Sequence, residues 1–194
     1  MPAPPLSKSK STVLCWRRID EFAGMEFLRL GIGGRRITVE SDLICMEAGG
    51  FHLSHKWELT SDWRAQSLRI EKHDAKGARA LLLERDGSGW RVDGEPRPDL
   101  DGAEEPDLSV TPFCNTLIMR RVPIEEGGNV TVDVAYIDGA DLSVVRSRQR
   151  YDFRKPGLYR YIDLGVAEGF EADLQVDDEK LVINYQHLFE RLKA

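Results

Sequence analysis

The chain has 194 residues, enough for one domain that buries a substantial core. Its 27 Lys and Arg against 33 Asp and Glu give a formal net charge of -6. That balance argues against a nucleic-acid surface, because phosphate binding needs concentrated positive charge.

Met1 to Thr12 is rich in proline, serine and lysine and lacks an apolar run, so residues 1–12 are expected to be a disordered tail and not a secretory leader. Residues 13–194 are expected to form a single domain. Val13 to Ile19 predicts a first strand and Met25 to Ile32 its hairpin partner. The turn Gly31-Ile32-Gly33-Gly34 is followed by neither a helical pattern nor a lysine, which favours a hairpin turn over a phosphate loop. In Arg35 to Met46 the residues Ile37, Val39 and Leu43 share one parity; in Phe51 to Thr60 so do Phe51, Leu53, Trp57 and Leu59. Period-two spacing of this kind marks half-buried antiparallel strands. Asp62-Trp63-Arg64 makes a corner, and Leu68, Ile70 and Ala78 to Arg85 continue the meander.

Pro96, Pro98 and Pro106 keep Glu95 to Pro106 out of any sheet interior. The Asp99-x-Asp101-Gly102 within it lacks the oxygen ladder of a calcium loop. Val130, Val132, Val134 and Tyr136 alternate, and Asp138-Gly139-Ala140-Asp141 turns the chain into Leu142 to Phe153. One face of that strand changes from Leu142 and Val144 to Arg146, Arg148 and Arg150, while the other carries Val145, Gln149, Tyr151 and Phe153. Leu158 to Leu164, Phe170 to Val176 and Leu181 to Tyr185 complete the strands, and His187 to Lys193 is expected to be a short C-terminal helix. The pattern is all-β and mainly antiparallel, rolled or barrel-like.

Few residues mark chemistry. Cys15, Cys45 and Cys114 form no close pair, which fits reduced thiols in a cytoplasmic setting. No segment approaches the roughly 20 apolar residues that span a bilayer as a helix. His52 and His55 fall on opposite faces of one strand and cannot chelate one metal; His73 and His187 lie beside turns. There is no Gly-x-Ser-x-Gly elbow, and Cys114 in its apolar run reads as a buried thiol. No catalytic residue, metal site or cofactor is assigned.

The stretch from Gly87 to Arg121 is the most distinctive. It carries Gly89-Trp90, Asp93-Gly94, the run Thr111-Pro112-Phe113-Cys114-Asn115-Thr116-Leu117, and Arg120-Arg121. In these residues the chain resembles a bacterial family of uncharacterised activity that bears a glycolipid-binding label. Cys114 stands where that family carries threonine and Ile118 where it carries proline. The resemblance implies a spiral β-roll, similar in shape to the carriers of lipoprotein acyl chains, and a glycolipid or other hydrophobic ligand held without catalysis.

On that reading Trp57, Trp63, Trp90, Tyr136, Tyr151, Tyr159 and Tyr161 are expected to line the roll, with Asn115 from the central run. Flat aromatic faces stack on sugar rings or acyl chains, and guanidinium forks grip anionic head groups in paired hydrogen bonds. Arg120, Arg121, Arg148 and Arg150 are the expected head-group residues. Read as adjacent strand residues, Arg120 and Arg121 would point oppositely, leaving one to pair with an acid such as Asp93 or Asp107. Two alternatives stand beside the carrier. One is an enzyme acting on a small amphiphile, which requires a perturbed carboxylate, cysteine or histidine in the same cavity. The other is a structural module whose open sheet edges a second copy covers, making a homo-oligomer.

Overall fold

The computed structural model of the chain describes residues 10–193. A first run of antiparallel neighbours contains β1 (Lys10–Arg18), β2 (Gly24–Gly33), β3 (Arg36–Cys45), β4 (Phe51–Thr60), β5 (Ala65–Asp74), β6 (Gly77–Asp86), β7 (Gly89–Val92) and β8 (Glu95–Pro96). The second contains β9 (Pro106–Leu108), β10 (Asn129–Ile137), β11 (Val144–Lys155), β12 (Leu158–Asp163), β13 (Glu171–Val176), β14 (Val182–Tyr185) and β15 (Phe189–Arg191). The helix α1 (Phe113–Arg121) lies between β9 and β10 in the chain.

All fifteen strands belong to one curled sheet. β1 sits at its centre beside β15, β8 and β9 form its edges, and every pair is antiparallel except β9 with β10. The prolines fall where the ladder has no need of their missing donors, Pro96 and Pro106 both on edge strands. The first strand begins earlier than expected, since Lys10, Ser11 and Thr12, assigned to the tail from sequence, pair with Ile32, Gly31 and Leu30 in β1 and β2. Met1 to Ser9 lie outside the described residues.

The expected C-terminal helix is a hairpin instead. Tyr185 and Phe189 face each other across β14 and β15, His187 turns at φ 71°, and Leu188 N–H donates to Tyr185 O. Pairing the two rings on the inner face outweighs the helical spacing of this short segment.

The helix that does form is α1, buried at seven of its nine residues. The segment was expected to be an apolar run in a strand register; with Phe113, Cys114, Leu117, Ile118 and Met119 spread around its circumference it is instead a buried helix that fills the roll. Thr111 Oγ1 accepts from Phe113 N–H at 3.2 Å, Pro112 precedes the first turn, and Arg120 and Arg121 sit in the last turn, where positive charge complements the helix dipole.

α1 stands between two cores. Phe113, Cys114 and Leu117 pack with Trp16, Trp57, Trp90 and the aliphatics of the first run; Ile118 and Met119 pack with Tyr151, Tyr159, Tyr161 and Tyr185 of the second. Each buried tryptophan removes roughly 150–250 Å² from water, on the order of 4–6 kcal/mol before entropy is subtracted. The lumen of the roll is therefore filled over most of its length.

The two ends of the sheet are joined by the segment before β9. Trp90 Nε1 donates to Ala103 O at 3.0 Å, Glu104 N–H to Asp133 O at 2.7 Å and Ala65 N–H to Glu105 Oε2 at 2.8 Å. Glu105 is fully buried between Arg85, 3.4 Å away, and Arg121. Burial pushes its carboxyl up to about 7, against the opposing pull of Arg121 and Arg85.

Candidate functional site

A partly open cavity of about 230 Å³ lies where α1, β9, β10, β12, β14 and β15 meet. Its depth can be read from burial. Thr111, Asn115, Tyr161 and Tyr185 are buried and form its floor and inner wall, whereas Phe170 and Leu188 are half-buried and Ala167 is exposed at the rim. The floor is polar and the rim apolar.

Beside that floor lies Asp107, itself half-buried. Gln149 Nε2 donates to its Oδ2, and burial pushes the carboxyl up to about 6, reinforced by the charge of Asp163 and opposed by the Gln149 hydrogen bond. Asn115 Oδ1 accepts from Tyr151 at 2.9 Å, and its Nδ2 donates to Pro112 O at 3.4 Å. Asp163 holds the loop that carries the rim: its Oδ1 accepts from Gly165 and Ala167 N–H at 2.7 and 3.1 Å, and its Oδ2 from Tyr161 at 3.0 Å. That loop lies close to β11, for a Cβ at Gly165 would meet Ser147 Oγ at 2.2 Å.

Aromatic rings make the remaining wall. Tyr161 and Tyr185 lie edge to face at 5.8 Å, with Phe170 at 6.2 and 6.3 Å from them and Phe189 6.2 Å from Tyr185. Burial pushes the hydroxyls of Tyr161 and Tyr185 up and raises Tyr136 to about 12, so all three stay protonated donors. Arg18 borders the cavity from β1, but its guanidinium is spent: Nε donates to Asp20 at 2.9 Å and Nη1 to Glu47 at 2.8 Å.

Of the residues expected from sequence, Asn115, Tyr136 and Tyr161 line the cavity, and Tyr151 stands directly behind Asn115. The others lie elsewhere. Trp57 packs on Phe113 at 5.8 Å and donates to His55, inside the filled core; Trp90 lies under the Arg85 guanidinium at 4.3 Å. Tyr159 stacks on Phe153 at 5.0 Å. Trp63 is covered by Arg120 at 4.0 Å, and Arg120 also donates to Glu179.

Because the segment is helical, Arg120 and Arg121 diverge along the outside of the helix, and Arg121 pairs with Glu105. Neither pairs with Asp93 or Asp107, and neither enters the cavity. Arg148 and Arg150 are solvent-facing on β11 and pair with Asp133 and Asp152.

The sequence reading missed Arg18, Asp107, Thr111, Asp163, Phe170 and Tyr185, while Tyr136, expected to line the roll, does border the cavity. One signal was available, the shared parity of Tyr161 and Asp163 two residues apart on β12. Asp107 and Thr111 carried none, since their approach to β12 and β14 depends on how the sheet curls.

Other polar groups are structural. Glu26, Ser41, His55 and Thr111 form a buried knot in which Glu26 Oε1 takes hydrogen bonds at 2.7, 3.0 and 2.9 Å. Burial raises the Cys114 thiol, which sits against Leu108. An unionised thiol is a poor nucleophile.

The family model described as "Putative glycolipid-binding" matches residues 13–191. The chain belongs to that family. It is also similar to a solved DUF1089 family protein from Pseudomonas aeruginosa, at 30% identity and TM-score 0.77, over 86% of this chain and 92% of that one. A beta-barrel-like protein of DUF1849 from Brucella abortus aligns at TM-score 0.54 and 9% identity, over 94% of this chain and 95% of that one, a likeness of fold alone. No curated protein matches the chain.

Proposed function

We propose that the chain is a non-catalytic binder of a glycolipid-like amphiphile whose polar head enters the cavity and whose apolar part leaves past the rim. The observation that carries this reading is the polarity gradient: Thr111 and Asn115 at the floor, with half-buried Asp107 beside them, and Ala167, Phe170 and Leu188 at the mouth. A ring-sized group suits the space, which is below the roughly 300–1,000 Å³ of drug-sized sites. The aromatic wall beside hydrogen-bonding groups suits a sugar, with its apolar C–H face and polar edge. A long acyl chain does not fit inside, so this is a head-group pocket and not a lumen that swallows the tail. Organic extraction of the purified chain and mass spectrometry of the extract test the reading. A stoichiometric amphiphile supports it; a bare protein that also takes up no added alkyl glycoside contradicts it.

Asp107 favours a second reading, an enzyme acting on the same amphiphile. A carboxyl pushed up to about 6 inside a cavity suits proton transfer near neutral pH. Turnover of an amphiphilic glycoside that disappears in Asp107→Asn while binding persists would favour it over simple binding.

A further inference from the structure

Resting on the glycolipid-binding reading, we infer that the cavity selects head groups that offer hydrogen-bond donors, hydroxyl or ammonium, and rejects phosphate, sulfate and carboxylate heads. The arginine-gripped anion expected from sequence is thereby reversed. The charges around the cavity decide the matter. Asp107 and Asp163 line it, and among the described residues the one bordering cation is Arg18. That guanidinium already serves two carboxylates, Asp20 and Glu47, with its side chain only 11% exposed. One positive group thus stands against four carboxyls, and an entering anion finds no unspent cation. In a site removed from bulk water, the resulting repulsion is screened far less than at the surface.

The unspent groups match a donor-rich ligand. Asp163 already accepts from Gly165, Ala167 and Tyr161. Asp107 is different: Gln149 donates to its Oδ2, its other protein donor is the weak thiol of Cys114, and the carboxyl keeps an exposed side toward the cavity. A ligand hydroxyl or ammonium replaces the water on that side, and a ligand lacking a donor covers the carboxylate without replacing it. The Tyr185 hydroxyl, which has no protein partner among the described residues, supplies a second point of attachment on the adjoining wall.

Binding is then linked to protons. Asp107 faces Cys114 of α1, Gln149 and Tyr151 of β11, Tyr136 of β10, Tyr161 and Asp163 of β12, and Tyr185 of β14. Asp163 is the only other carboxyl among them, and it is fixed by its three donors. Protonating Asp107 removes the free acceptor, so affinity for the donor-bearing head falls as the pH drops below about 6.

The test is calorimetric titration of the full chain, at pH 8 and pH 5, with n-octyl β-D-glucoside below its micelle concentration, n-octylammonium and n-octyl phosphate. The glucoside or the ammonium is expected to saturate one site at pH 8, with octyl phosphate at least about tenfold weaker and the bound probe weaker by about fivefold at pH 5. Glucoside binding assigns the hydroxyl source, and ammonium binding alone assigns the amine. Asp107→Asn, nearly isosteric, is expected to weaken the bound probe and narrow the gap to phosphate. Octyl phosphate binding as tightly as the other probes overturns this inference while leaving the binding function intact. Unchanged discrimination in Asp107→Asn overturns it as well. Failure of all three probes contradicts both the inference and the function. If Asp107→Asn does not fold, by near-ultraviolet circular dichroism, the wild-type ranking of probes still decides.

Discussion

Tyr151 donates its hydroxyl to Asn115 Oδ1 across 2.9 Å, fixing the inner face of β11 to the one side chain of α1 that both lines the cavity and belongs to the central sequence run. The bond is buried at both ends, with Tyr151 at 1% and Asn115 at 4% exposure. It thus couples packing to the shape of the cavity floor.

Tyr151→Phe keeps the ring and removes the hydroxyl, leaving Asn115 Oδ1 unpaired in the interior. Urea unfolding is expected to show a loss of about 1–3 kcal/mol with an unchanged slope. Equal stability of the two proteins would mean that the bond contributes nothing to the floor.

Glu105→Gln addresses the seam between the two ends of the sheet. The substitution leaves Arg85, only 8% exposed at its side chain, and Arg121 without their shared carboxylate. Removing one partner from a buried ion cluster costs roughly 3–5 kcal/mol, chiefly through the uncompensated charges left behind. A loss below about 1 kcal/mol would show that Arg85 and Arg121 are satisfied by other groups, such as the Ala65 and Glu104 carbonyls that Arg85 already contacts.

The pH dependence of stability follows from the raised carboxyl of Asp107, which titrates near 6 in the fold, above its ordinary value of 3.8. The folded chain therefore holds a proton there that the unfolded chain has released. Its contribution is fully present below about pH 4 and is lost as the pH rises through 6. Asn at position 107 cannot titrate, so the stability of Asp107→Asn relative to wild type is expected to increase from pH 5 to pH 8. A relative stability that decreases over that interval would reverse the sign and contradict the assignment.

Gly165→Ala probes the loop that carries the rim. The new methyl meets Ser147 Oγ at 2.2 Å and Arg148 N at 2.7 Å, so the loop must lift from β11. Overpacking of this kind costs about 1–3 kcal/mol. Because Asp163 ties the same loop to Tyr161, affinity for an alkyl glycoside is expected to fall with stability. Wild-type affinity in a destabilised Gly165→Ala would place the binding surface away from this loop.

Strand alternation was largely legible in the sequence because a half-buried pleat writes its burial every second residue, as Ile37 and Val39 or Leu53 and Trp57 show. The helix was not. Phe113 to Arg121 is short and apolar on most sides, so it has no amphipathic signature, and its helicity is imposed by the space inside the roll. The site was hidden for a related reason. Arginines look like ligand grips in a sequence, yet Arg121 and Arg148 each have a carboxylate partner brought near by folding. The cavity assembles instead from Asp107, Tyr161 and Tyr185, which lie on three strands whose meeting depends on the closure of the sheet.

The most direct test of the central claim is a titration of the full chain with n-octyl β-D-glucoside followed by backbone amide chemical shifts. Saturable shifts are predicted at Asn115, Tyr161, Tyr185 and the loop from Asp163 to Phe170, with the amides around Arg148 and Arg150 moving no more than their contact with that loop requires. Saturable shifts centred on the outer face of β11, or no saturable shift at all, would contradict the account.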